Sequence, residues 1–181
     1  MNNKILKLTF ILFLVCAITA GILGVVNEVT KDRIDQIKAE KTAKAYSAVL
    51  PADSFQPVSF DKAAFPTING IYEASGGAGY VVESTFSGAQ GLITMATGVS
   101  PDYKCTGISI ISHSETSGLG ANAASAGEVG IAFRSQFVGA DDTVALKKSG
   151  GEIDALTGAT ITSRAVTGAC ATAIEAVESL G

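Results

Sequence analysis

The chain has 181 residues, of which 47% are hydrophobic, and carries a net charge of −4. That length holds one compact domain with an appendage rather than two full domains. An acidic balance without a basic patch or aromatic ladder excludes nucleic acid as a partner.

The hydrophobic content is concentrated at the start. No charged residue occurs from Leu8 to Asn27, and a helix over 8–27 is long enough to cross a hydrocarbon core of about 30 Å. Lys4 and Lys7 precede this run and no basic residue follows until Lys31. The positive-inside rule therefore places residues 1–7 in the cytoplasm and the C-terminal part outside the cell membrane, behind a single pass. A cleaved signal peptide fits less well, because its apolar region is shorter and Ile18 takes a position that should be small in a site ending at Ala20. Residues 28–67 form the juxtamembrane part. Helical character persists there through Ile34, Ile37, Tyr46, Val49 and Leu50 until Pro51, and a proline-bearing connector fills 51–67.

Residues 68–181 carry the signals of a folded domain. Gly79–Phe86, Leu92–Val99 and Thr106–Ile111 read as strands joined by short glycine-containing turns, which favours antiparallel pairing. Thr116–Gly130, dense in Gly, Ala, Ser and Asn, suits a ligand-lining loop with a short helix. Phe133 and Phe137 are spaced as core residues. Val166, Ala169, Cys170, Ala173, Ile174 and Val177 mark one face of an amphipathic helix. The fold class is α+β: a mostly antiparallel sheet packed with helices, preceded by one N-terminal transmembrane helix. Three cysteines without a C-x-x-C spacing read as small buried hydrophobes, and a single His makes no metal site.

Two strings carry candidate chemistry. Asp154–Thr160, Asp-Ala-Leu-Thr-Gly-Ala-Thr, precedes a helix expected to begin at Thr162-Ser163-Arg164. A hydroxyl among small residues at a helix entrance can meet a phosphate, although such strings also serve as ordinary caps. His113–Gly120, His-Ser-Glu-Thr-Ser-Gly-Leu-Gly, follows a strand end and holds the only histidine. Taken alone it is a polar turn, and no G-x-S-x-G elbow supports a hydrolase.

The two strings in this order and spacing resemble the paired signature of the FMN-binding domain family. Within it the length and the wording of Thr157–Val166 look most like the G subunits of Rnf-type electron transport complexes, which are related to the C subunits of the sodium-pumping NADH:quinone reductase. The resemblance runs from about Gly79 to the C-terminus, with Ser117 where the family usually has proline. It implies covalent FMN, attached through its phosphate to Thr160 by a flavin transferase that recognises Asp154, Thr157, Gly158 and Ala159. It further implies flavin contacts from Glu115, Thr116, Gly118 and Leu119, with His113 bracing the loop. The phosphate is expected before the amides of Ile161, Thr162 and Ser163, with Arg164 supplying charge. The implied function is electron carriage within a membrane ion-translocating ferredoxin:NAD oxidoreductase, among its other membrane subunits, with no independent catalytic centre. The alternative is a membrane-tethered structural or binding module of pilin type without a redox cofactor. A pilin-like processing site needs an early Glu, and none precedes Glu28.

Overall fold

The computed structural model describes residues 2–180 and divides into two units, one up to Lys41 and one from Thr42. Helix α1 spans Asn2–Val49. In the first unit its apolar side chains, Leu8, Phe10, Phe13 and Val25 among them, are exposed along their length. By length and composition this helix is a candidate membrane span. The one hydroxyl in the middle of the apolar run does not need water: Thr19 donates to the Val15 carbonyl at 3.0 Å.

The second unit is built on a five-stranded sheet: β1 Phe55–Val58, β2 Ile68–Ala74, β3 Tyr80–Ser87, β4 Leu92–Val99 and β5 Cys105–His113. The strands lie in sequence order and every neighbouring pair is antiparallel. Helix α2 covers Glu128–Ser135 and helix α3 covers Thr160–Glu178. The architecture is thus α+β with an antiparallel sheet, as the sequence indicates. Two strands exceed that expectation. β1 contains Pro57 and lies at the sheet edge, where a missing N–H costs no ladder bond. In β2 the pair Asn69-Gly70, which reads as a turn, lies at a register shift between Ile68 and Gly70.

Both faces of the sheet are covered. On one, Ile71, Val82, Phe86, Met95 and Ile108 pack with Val166, Cys170, Ala173, Ile174 and Val177 of α3. All six apolar positions read from the sequence as one helical face are buried. Truncating a fully buried side chain such as Ile174 to alanine costs about 2–5 kcal/mol. Phe133 and Phe137 meet edge to face at 5.4 Å within the same core. Cys105 and Cys170 are free and buried there. The bond that Cys170 makes to Cys105, together with burial, holds the Cys170 thiol well above its usual range, so it stays protonated and acts as core.

On the opposite face Ala45, Tyr46, Val49 and Leu50 from the last turns of α1 pack against Ala74, Val81 and Ala96. Tyr46 donates to the Glu83 carboxylate at 2.8 Å. Burial and that carboxylate push the phenol far above its ordinary range. Gly98 makes this docking possible, since a Cβ there would lie 2.6 Å from the Val49 carbonyl oxygen and 2.2 Å from Thr106 Oγ1. Gly98→Ala is therefore expected to destabilise the domain by about 1–3 kcal/mol. Thermal unfolding should record a Tm several degrees lower, whereas Gly168→Ala, at an exposed position inside α3 where added bulk meets nothing within 4 Å, should raise it.

Candidate functional site

The two informative strings meet at the entrance to α3. The turn Leu156–Ala159 closes with the Ala159 amide donating to the Leu156 carbonyl at 3.0 Å. Gly158 sits in it at φ +73°, a left-handed conformation natural to glycine. A Cβ at Gly158 would approach Leu119 Cδ2 to 3.0 Å, so the absence of a side chain lets the two strings touch.

Helix α3 begins at Thr160, two residues before the expected start. Ser163 explains the shift. Its hydroxyl turns back, donating to the Ala159 carbonyl at 2.9 Å and accepting from the Leu156 amide at 2.9 Å. It staples the turn rather than capping the helix. The Ser163 amide also donates to Ala159, at 2.9 Å, and so is closed to a phosphate, contrary to expectation. Ala159 offers no side-chain cap. Among the described residues the amides of Thr160, Ile161 and Thr162 consequently have no protein acceptor, and the helix dipole leaves partial positive charge there.

Thr160 is half-buried and, with Thr157 and Gly158, lines a cavity of about 430 Å³. Asp154, Lys147 and Lys148 complete its polar wall. A parallel bridge between Leu146 and Ile153 brings the lysines there, with the Lys147 amide donating to the Ile153 carbonyl at 2.9 Å. Lys147 Nζ then pairs with Asp154 Oδ2 at 2.6 Å. Arg164, the cation expected from the sequence, is exposed and does not line the cavity.

Glu115 does not line this cavity. It is only 8% exposed. Its Oε1 accepts from the amides of Ala89 and Gln90 at 2.9 and 3.0 Å, and its Oε2 accepts from the Thr162 hydroxyl at 2.5 Å. One carboxylate thereby joins the β3–β4 turn to the first turn of α3. Burial pushes the Glu115 carboxyl up, but the amides and the Thr162 hydroxyl outweigh it and hold it below the ordinary carboxylate range. Gly120 backs this contact, since a Cβ there would lie 2.3 Å from Glu115 Oε2. His113 braces the same loop, accepting the Glu115 amide on Nδ1 at 3.2 Å.

Thr116 and Gly118 are exposed and act through their backbones. The Thr116 carbonyl accepts from the amides of Leu119 and Ala121, and the Gly118 carbonyl accepts from Asn122. Neither lines the cavity at Thr160. Two residues from α2 and its end, unmarked in the sequence, bracket both loops. Arg134 donates to the carbonyls of Ala123 and Ser125 at 2.7 and 2.9 Å. Gln136 accepts the Asp154 amide at 2.7 Å. No periodicity announces such residues, because their partners are backbone atoms far along the chain.

The parts suit a flavin mononucleotide. A hydroxyl stands at an open helix start for the phosphate, and no side chain on Gly158 obstructs approach. Leu119 and Ile161, 44% and 63% exposed, offer uncovered apolar surface for a ring. Fold and site together define an FMN-binding domain, and residues 88–175 match the FMN-binding domain family while residues 1–49 match the RnfG N-terminal region. The chain is 34% identical to the G subunit of the ion-translocating oxidoreductase complex of Methanosarcina acetivorans, over 97% of this chain and 96% of that protein. It is 34% identical to the G subunit of the proton-translocating ferredoxin:NAD(+) oxidoreductase complex of Clostridium ljungdahlii, over 97% and 93% of the two chains. The Na(+)-translocating counterpart from Acetobacterium woodii is 32% identical over the same shares. The chain belongs to the RnfG family, the G subunits of ion-translocating oxidoreductase complexes. That membership displaces the pilin-like alternative.

Proposed function

We propose that this chain is the flavin-carrying electron-transfer subunit of a membrane-bound, ion-translocating ferredoxin:NAD oxidoreductase complex, holding FMN as a phosphoester of Thr160. The observation that carries the reading is Thr160 itself, a hydroxyl without a partner among the described residues at the open start of α3, within the matched FMN-binding domain. The other hydroxyls of the first helical turn support it by being committed elsewhere: Thr162 to Glu115 and Ser163 to the turn that precedes the helix.

When bound, the flavin supplies one- and two-electron redox chemistry, and the protein's task is to hold it and tune its surroundings. The amides of Thr160, Ile161 and Thr162 face the phosphate as donors. Gly158 leaves room beside it, and Leu119 and Ile161 give the ring apolar surface. Glu115 fixes α3 against the β3–β4 turn so that the acceptor keeps its place. Thr157, Gly158 and Ala159 form the loop that a flavin transferase, a transient partner, reads together with Asp154. The remaining partners are the complex's membrane subunits. Lys4 and Lys7 before the apolar run favour a cytoplasmic N-terminus and an extracytoplasmic domain over residues 68–181.

The test is chemical. The full chain, co-expressed with a flavin transferase, should be yellow, and the colour should stay with the protein after acid precipitation. Mass spectrometry should place one FMN less one water on the peptide that contains Thr160. A colourless full chain, with that peptide at its unmodified mass, removes the reading.

A further inference from the structure

We infer that Lys147 and Lys148, rather than Arg164, supply the positive charge for the phosphate on Thr160, and that Asp154 is the positioning residue that holds Lys147 at the cavity wall. This rests on the phosphoester reading above.

The electrostatic problem is set by the sequence. Beyond the apolar run there are 11 basic and 17 acidic residues, so a flavin nucleotide approaches a domain of its own sign. Five basic residues lie beyond Val99, and three are otherwise placed. Lys104 pairs with Asp141 at 3.0 Å and does not line the cavity at Thr160. Arg134 spends its guanidinium on the carbonyls of Ala123 and Ser125. Arg164 lies on the exposed side of α3, outside the cavity lining. Lys147 and Lys148 remain, and both share a wall with Thr160.

Their backbone is fixed before any ligand arrives. The Leu146 carbonyl accepts from the amides of Ser149 and Gly151, and the Lys147 carbonyl accepts from Gly150. Gly150 is left-handed at φ +89°, and a Cβ at Gly151 would lie 2.1 Å from the Ala145 carbonyl oxygen. The lysine pair is therefore held on a tight loop rather than on a free tail. The ion pair of Lys147 with Asp154 is solvent-exposed on both sides, and such pairs contribute little to stability. Its effect is on where the ammonium sits. A phosphate beside Thr160 would share a cavity wall with an ammonium that Asp154 already holds in place, in addition to the helix amides.

The test uses the full-length chain and purified flavin transferase, with transfer followed by in-gel fluorescence. K147Q/K148Q is expected to lower the initial rate of flavin transfer about tenfold at low salt, and K147R/K148R to restore it. The deficit should shrink as salt rises. R164Q should stay within about twofold of wild type, and D154N, whose transfer rate also reports recognition by the transferase, is compared by the Tm measurement below, where its gain should fall between those of wild type and K147Q/K148Q. A second measurement separates phosphate contact from docking of the transferase: the Tm of flavin-bearing protein relative to its unmodified form. Wild type and R164Q should show the same gain, and K147Q/K148Q should lose most of it. An unchanged rate in the double variant overturns the inference. So does a reduced rate with the Tm gain intact, which would assign the lysines to the transferase, and so does a loss confined to R164Q. Wild type that takes up no flavin removes the underlying reading and this one together, an outcome distinct from unequal variants of a yellow protein.

Discussion

Thr160→Ala, co-expressed with the flavin transferase, is expected to give a folded protein with no flavin fluorescence in the denatured band. Thr162→Ala should keep that fluorescence. An ester needs a hydroxyl that can be reached. Thr162 is buried and donates to Glu115, and Ser163 is buried and stapled to the preceding turn. Thr157 is exposed but lies on the turn before the helix rather than at its first residue. Thr160 combines access with the helix start. Its hydroxyl caps nothing among the described residues, so the stability of the unmodified alanine variant should change by no more than about 0.5 kcal/mol. Fluorescence retained in Thr160→Ala but lost in Thr162→Ala would overturn the assignment. Equal Tm values for unmodified wild type and Thr160→Ala guard against a trivial folding defect.

The second large effect is on stability and centres on Glu115. Glu115→Ala leaves the buried Thr162 hydroxyl without its acceptor and releases the amides of Ala89 and Gln90 on an exposed turn. Leaving the buried hydroxyl unsatisfied costs about 1–3 kcal/mol, while water can reach the turn amides, so a loss of about 1–3 kcal/mol is expected. Glu115→Gln keeps the shape and part of the bonding and should cost less. The pH dependence follows from the lowered carboxyl pKa. The unfolded chain titrates Glu near 4.3, and the folded form releases its proton at lower pH. The contribution is therefore complete above about pH 4.3 and is lost as pH falls through the folded value. Thermal melts from pH 7 to pH 3 should show wild type and Glu115→Gln converging at the acid end. Curves that stay parallel throughout would rule out this account of the carboxylate.

The sequence carries the sheet's centre and the long helices plainly, because alternation and the 3.6-residue period survive in β3, β4 and α3. It hides β1 and β2 for local reasons. Pro57 argues against a strand unless the strand is at an edge, and Asn69-Gly70, a pair common in turns, falls at a register shift inside β2. Thr162-Ser163 imitates a helix cap, yet Ser163 faces backward and the helix begins at Thr160. At the site, both strings are visible, but their close approach at Gly158 and Leu119 is not, because it joins segments about forty residues apart. Glu115 is the residue whose surroundings differ most from expectation. Its partners at Ala89, Gln90 and Thr162 are remote in sequence, so nothing local marks the carboxylate as inward-facing. Lys147 and Lys148 are concealed for a related reason: a single parallel bridge brings them to Asp154, and one bridge leaves no repeating pattern.

The helix that starts at Thr160 is also the one whose far turns, through Ile174 and Val177, fill the main core. A prosthetic group esterified there would stand on the keel of the domain, not on a swinging arm. Its independent travel would be limited to the length of its own sugar-alcohol chain. Larger changes in separation from a neighbouring electron donor or acceptor would then require the whole body of the domain to shift, and mutations that soften the interior would be felt as altered electron-transfer distances before they were felt as lost cofactor.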